Sequence, residues 1–115
     1  MMSESARDRI WGSQAAPIAE QLKDLDPDLA DLILRVVYGE VFEREGLDMR
    51  TRELLAVAHL MSVGSAGELE THLRGALRNG SSHTELKEVI LHAAMFIGFP
   101  KAVQAMRVLK RLKEV

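Results

Sequence analysis

Apolar residues recur along this chain at three- and four-residue spacing, and no segment sustains the alternation of a half-buried strand, so the pattern predicts an all-α fold. After a polar start, SQAAPIAEQLKDL reads as a short first helix. Asp26-Pro27-Asp28 then opens a second with a cap residue, a proline at the first helical position and an acid in the first turn, and it runs to about Arg44. EGLD breaks the chain, and Asp48 can cap the helix that carries TRELLAVAHLMSV to Gly64. From Gly67, ELETHLRGALRN puts Leu69, Leu73, Ala76 and Leu77 on one stripe and stops at Asn79-Gly80. Ser82 and Glu85 form a capping-box pattern for the next helix, which Gly98 and Pro100 interrupt. KAVQAMRVLKRLKEV finishes the chain with its cations late, as the helix dipole favours.

Two of these helices lack a polar face. LLAVAHLMSV (54–63) and VILHAAMFIGF (89–99) carry only His59, Ser62 and His92 as polar side chains, and an apolar helix must be covered on every side. A chain of 115 residues has too few amphipathic helices to surround both, which predicts a homo-oligomer whose subunit contacts use part of this surface. The alternative is a compact bundle with these two helices at its centre. The organisation is one domain overall, with residues 1–25 an N-terminal arm or short helix and 26–115 the helical domain.

Composition narrows the chemistry. With 28% charged and 47% hydrophobic residues the chain can build a core, so disorder is not expected beyond the termini. A net charge of −2, with basic residues interspersed among acids, provides no field for phosphate backbones, and no nucleic-acid partner is expected. The apolar runs are too short to span a bilayer and the N-terminus has no hydrophobic signal core, so the expectation is a cytoplasmic protein without a membrane partner. There is no cysteine, which excludes disulfides, thiolate nucleophiles and thiolate metal sites.

The candidate chemistry centres on Glu68 and His72, four residues apart at the start of a helix and therefore on one face. A carboxylate beside an imidazole can be a proton-transfer pair, a metal-ligand pair or an ordinary i,i+4 contact, and spacing alone favours the last. The neighbouring apolar helix changes the balance, because partial desolvation raises a glutamate pKa and can hold a histidine neutral. His59 and His92 each stand alone in an apolar run, where a histidine is more often a core residue bonded to a backbone carbonyl than a catalyst. His83, in a helix-start loop, receives no role. A zinc site would require His72, His92 and a carboxylate to converge, and no tight His-x-x-x-His or His-x-His spacing is present; no metal is expected. Arg74 and Arg78 could bind substrate carboxylates, although Glu70 is the simpler partner for Arg74. Glu53, near the start of the apolar helix, is read either as a site acid or as a carboxylate favoured by the helix dipole.

Residues 38–110 resemble the carboxymuconolactone decarboxylase family in three ordered blocks. GEVFEREGLDMRTR supplies the first at residues 39–52, THLRGALRNG the second at 71–80, and ELKEVILHAAMFIGFPKA the third at 85–102. The resemblance implies an alkylhydroperoxidase D-like helical bundle with a central antiparallel helix hairpin, assembled as a trimer or hexamer. The thiol-dependent branch of that superfamily uses a Glu, a Cys-x-x-Cys and a His, which fall here on Glu53, Ser65, Glu68 and His72. Acid and histidine match and both thiols are missing, so thiol peroxidase activity is not expected. Relative to the decarboxylase branch, Tyr38 and Phe42 stand where tryptophans are usual, Phe96 where tyrosine is usual, and His92 where glutamine is common. The implied function is cofactor-free decarboxylation or proton transfer on a small carboxylated lactone or related acid. In it His72 moves the proton, Glu68 orients or tunes it, Arg74 holds a substrate carboxylate, and Glu53 and His92 form a second relay. The competing reading is a non-catalytic oligomeric binding protein that kept the pocket and lost the redox chemistry.

Overall fold

The structure, a computed structural model, describes residues 4–112. Helices α1 (Ala6–Trp11), α2 (Ala15–Leu25) and α3 (Pro27–Leu32) are followed by a π-helical segment (Ile33–Val41), then α4 (Met49–Val63), α5 (Ala66–Arg78), α6 (His83–Ile97) and α7 (Phe99–Arg111). The boundaries follow local chemistry. Asp26 accepts a hydrogen bond from the Leu29 amide at 2.8 Å ahead of Pro27, and Asp48 accepts one from Thr51 at 2.8 Å. Gly64 ends α4 in the left-handed conformation, with φ of 77°. Ser82 and Glu85 cap α6 reciprocally, and Glu85 also receives Arg50 from α4.

Two expectations are revised. The polar start contains a helix of its own: Ser5 caps α1, and Ala6, Ile10 and Trp11 are buried. Six residues make a marginal helix, so α1 is held from outside. The Ala6 amide donates to the Glu43 carboxylate, Arg78 Nη1 donates to the Ile10 carbonyl at 2.7 Å, and Asn79 Nδ2 donates to the Arg9 carbonyl at 2.8 Å. Arg78 thus clamps α1 to the end of α5, passing beneath Gly12, where a Cβ would lie 2.7 Å from its Nε. The helix begun at Pro27 does not remain α-helical to Arg44. From Ile33 it widens to π geometry, as in the bond from the Phe42 amide to the Val37 carbonyl at 2.9 Å. The last three residues of the predicted final helix, 113–115, lie outside the described residues.

The core has two parts. The larger joins α4 to α7 around Val57, Leu73, Leu86 and Ile90, and includes all of the predicted α5 stripe. The smaller, around Ile10, Trp11, Tyr38 and Met49, attaches the N-terminal segment to the π-helix and to the start of α4. Neither apolar helix is surrounded within one chain, so the compact-bundle alternative does not describe it. Helix α4 buries the stripe Met49, Glu53, Val57 and Met61, while Leu55, Val63, Met95, Phe96 and Phe99 remain exposed. Replacing Arg78 by alanine removes the clamp on α1, and we expect a loss of about 1.5–3 kcal/mol, the range for hydrogen bonds to charged groups. Urea unfolding followed by Trp11 fluorescence measures it, and an unchanged midpoint would show that α1 docks without Arg78.

Candidate active site

Helices α4 and α5 face each other across a buried acid and a buried imidazole. Glu53 has no exposed surface, and His72 retains only 6% of its own. His72 Nδ1 lies 2.9 Å from Glu53 Oε2 and 3.1 Å from Oε1, so its N–H donates to both carboxylate oxygens. That bond fixes the tautomer: a neutral ring carries its hydrogen on Nδ1 and presents a lone pair at Nε2. The approach depends on the backbone of α5. A Cβ at Gly75, one turn beyond His72, would collide with Glu53 Oε2 and come within 3.0 Å of Ile10 Cγ2. Glycine in a helix interior costs about 0.5–1 kcal/mol relative to alanine, and here it opens the space that the carboxylate fills.

The electrostatics follow from this burial. Desolvation pushes the Glu53 carboxyl above its ordinary range, while the hydrogen bond and charge of His72 pull it back. An acid held between those opposing effects can share or release a proton as its neighbour changes charge.

The π-helix builds the opposite wall. Tyr38 and, at its C-terminal end, Phe42 lie four residues apart on one side, stacked at 5.2 Å and 18°. Trp11 meets the Tyr38 ring at 4.3 Å, tilted by 44°, and Phe42 stacks with His72 at 6.1 Å. The Tyr38 hydroxyl reaches His72 Nε2 at 3.5 Å. Burial, and then the charges of Glu53 and Glu68, raise the Tyr38 pKa against a hydrogen bond from Trp11, so the phenol stays protonated. These groups open on a cavity of about 530 Å³ with apolar walls that include Trp11, Ile18, Leu22 and Phe42. Glu68, Thr71 and Gln21 add polar atoms, and no arginine or lysine lines it among the described residues.

Of the residues singled out in the sequence, Glu53, His72 and Glu68 share this cavity or its floor, and it is Glu53 rather than Glu68 that bonds to the imidazole. Arg74 points elsewhere, pairing with Glu70 at 3.4 Å, and Glu70 also meets Arg111 of α7 at 3.5 Å. His92 does not join His72. It is exposed, with His59, in a separate apolar groove of about 650 Å³ between α4 and α6, where its ring lies 5.5 Å from Phe96. The expectation of core histidines fails for both because the outer faces of these helices have no cover within the chain. Among the described residues no three His, Asp or Glu side chains converge as metal ligands. Sequence reasoning placed Tyr38 and Phe42 at the pocket without assigning them chemistry, and overlooked Trp11 and Gly75. Three of the chain's five aromatic residues line this one cavity, a convergence that only the fold reveals because Trp11 is far from Tyr38 and Phe42 in sequence.

Comparison with known proteins adds what geometry cannot. The model of the carboxymuconolactone decarboxylase family matches residues 27–111. The chain belongs to that family. It is 41% identical over 87 residues to a 4-carboxymuconolactone decarboxylase of Acinetobacter baylyi, covering 76% of this chain and 65% of that protein. It is 37% identical over 81 residues to a nitrosuccinic acid decarboxylase of Metarhizium robertsii, covering 70% of this chain and 57% of that protein. An uncharacterized 15.0 kDa protein of Paracoccus denitrificans is 33% identical over 89 residues, covering 76% and 66%. The chain therefore spans less than two thirds of the length of either decarboxylase. As a carboxymuconolactone decarboxylase family member it has the alkylhydroperoxidase D-like helical fold, here without cysteine.

The raised Glu53 pKa has a thermodynamic sign. The folded state holds the Glu53 proton more tightly than the unfolded chain, whose carboxyl titrates near 4.5, so this group withdraws stability as pH rises from 4.5 through its folded value. Glu53→Gln removes the titration and leaves an amide oxygen to accept from His72. In urea unfolding between pH 4 and 8, we expect wild-type stability to fall relative to the variant as pH rises. The opposite slope would mean that His72 stabilises the carboxylate by more than burial disfavours it.

Proposed function

We propose that this protein is a carboxy-lyase that removes CO2 from a small carboxylated lactone or related acid and protonates the carbon left behind. The observation that carries the reading is the Glu53–His72 pair at 2.9 Å, buried beneath a cavity with apolar walls. Two decarboxylases among the relatives support it. When the carbon–carboxylate bond breaks, its electron pair moves into an acceptor conjugated with that carbon, such as a lactone carbonyl or a nitro group. The acceptor belongs to the substrate, so this reading requires a proton source rather than a cofactor. His72 as imidazolium supplies the proton, and Glu53 stabilises that charged form and holds the ring in place.

Glu68 has a different part from the one its spacing suggested. At the cavity wall, with no cation paired to it among the described residues, its negative charge opposes a substrate carboxylate. Departure of CO2 disperses that charge into the acceptor, so apolar walls and a nearby acid both favour the departing state over the bound one. Arg74 and His92, outside the cavity, take no part in this reading.

We also infer that the protein is a homo-oligomer, a trimer or hexamer, in which the apolar groove between α4 and α6 is covered by further copies. Exposed Met95, Phe96 and Phe99 support this, and sedimentation equilibrium tests it: a monomeric mass at micromolar concentration would end the inference. Turnover is tested with 4-carboxymuconolactone and nitrosuccinic acid, following CO2 release. His72→Ala should lower kcat by about 10²–10⁴-fold with the helical fold intact. Unchanged turnover in the variant would remove His72 from the mechanism, and an inert wild type would favour a binding role or a different acid.

A further inference from the structure

Both ring nitrogens of His72 are engaged. Nδ1 is held by the two oxygens of Glu53, and Nε2 faces the Tyr38 hydroxyl at 3.5 Å. No substrate atom fits between groups that close. The phenol oxygen is therefore the outer end of a chain that runs from Glu53 through His72 to Tyr38, and Tyr38 lines the same cavity. Its ring is held by packing: Trp11 meets it at 4.3 Å, Phe42 stacks with it at 5.2 Å, and Phe42 also stacks with the imidazole. Tyr38 lies in the π-helix and Phe42 at its C-cap, four residues on, so the two rings share one face of this segment.

We propose that Tyr38 is a catalytic residue, the group that hands the proton to the substrate carbon after CO2 loss, with His72 resupplying it through Nε2. The proposal rests on the decarboxylase reading and deepens it. In the step, the bond from carbon to the carboxylate breaks and its electron pair passes to the substrate's carbonyl or nitro acceptor. As that pair returns to form the C–H bond, the Tyr38 O–H bond breaks and the phenol oxygen takes the hydrogen of His72 Nε2. His72 ends neutral, keeping the Nδ1 hydrogen that it donates to Glu53, and a proton taken up from solvent restores the imidazolium. One proton is consumed for each CO2 released, and no net oxidation or reduction occurs. The two transfers are coupled, because a phenolate beside Glu53 and Glu68 would be an unfavourable resting charge. A contact of 3.5 Å in the ligand-free protein is long for a hydrogen bond, and such catalytic contacts shorten when substrate fills the site.

The test is Tyr38→Phe, which removes one oxygen and keeps the ring stack. Turnover of 4-carboxymuconolactone and nitrosuccinic acid is measured for both proteins, and the nitrogen resonances of the histidine rings are recorded without ligand. We expect kcat to fall about 100-fold or more while KM stays within about threefold, because the interaction lost belongs to the transition state. The Nε2 resonance of His72 should shift while those of the other three histidines hold still. Full kcat in the variant beside an active wild type overturns the proposal alone. An unmoved Nε2 resonance also overturns it, by showing that the contact does not exist in solution. A wild type inert toward both acids overturns the decarboxylase reading and the donor role with it.

Discussion

Taking a carboxylate out of water costs several kcal/mol unless it is paired and hydrogen-bonded, and that cost dictates the surroundings of Glu53. The side chain sits on the stripe that α4 otherwise fills with Met49, Val57 and Met61, facing α5 in the middle of the molecule. One partner meets both of its oxygens, and that partner is His72. The register between α4 and α5 is consequently set by a polar contact within an apolar interface: a slide of one turn would leave the acid against hydrocarbon and the imidazole without its anchor. The tight turn at Gly64, the short path to Ser65 and the close packing of Leu69 and Leu73 all serve the same register.

Around this pair the molecule divides its labour. The α4–α7 cluster carries ordinary apolar packing, whereas the smaller N-terminal cluster carries aromatic rings and forms the roof of the cavity. Helix α1 is only six residues long; its buried Ile10 and Trp11, together with contacts to Arg78, Asn79 and Glu43, hold it in place, and it brings Trp11 to Tyr38. Residues that look like surface charges in the sequence therefore shape the site at a distance, by holding the segment that walls it.

Much of the fold was legible in the chain because it rests on local chemistry. Caps at Asp26, Asp48 and Ser82, the stop at Gly64 and the break at Gly98-Pro100 are each determined by a few consecutive residues. Apolar spacing likewise identified the buried stripe of α5. What escaped depends on residues far apart in sequence. The π-helix cannot be read from apolar spacing, since Tyr38 and Phe42, four residues apart, would share a face in an α-helix as well. Helix α1 depends on a guanidinium 68 residues away. The site was half visible: Glu53, Glu68 and His72 were all on the page, but i,i+4 spacing drew attention to Glu68, whereas the bond to His72 comes from an acid 19 residues earlier on another helix. Arg74 and His92 were chosen by residue type, and only the direction in which each helix faces shows that neither meets the cavity.

Gly75 gives the buried pair a further meaning. Because the space of a β-carbon at position 75 is already occupied by the Glu53 carboxylate, the two positions are not independent letters of the sequence. Any larger residue at 75 demands a shorter one at 53, and a shorter one at 53 no longer reaches His72. In diverging copies of this chain, the acid and the glycine should thus be kept together or lost together, and a glycine retained without its acid would mark a site emptied only recently.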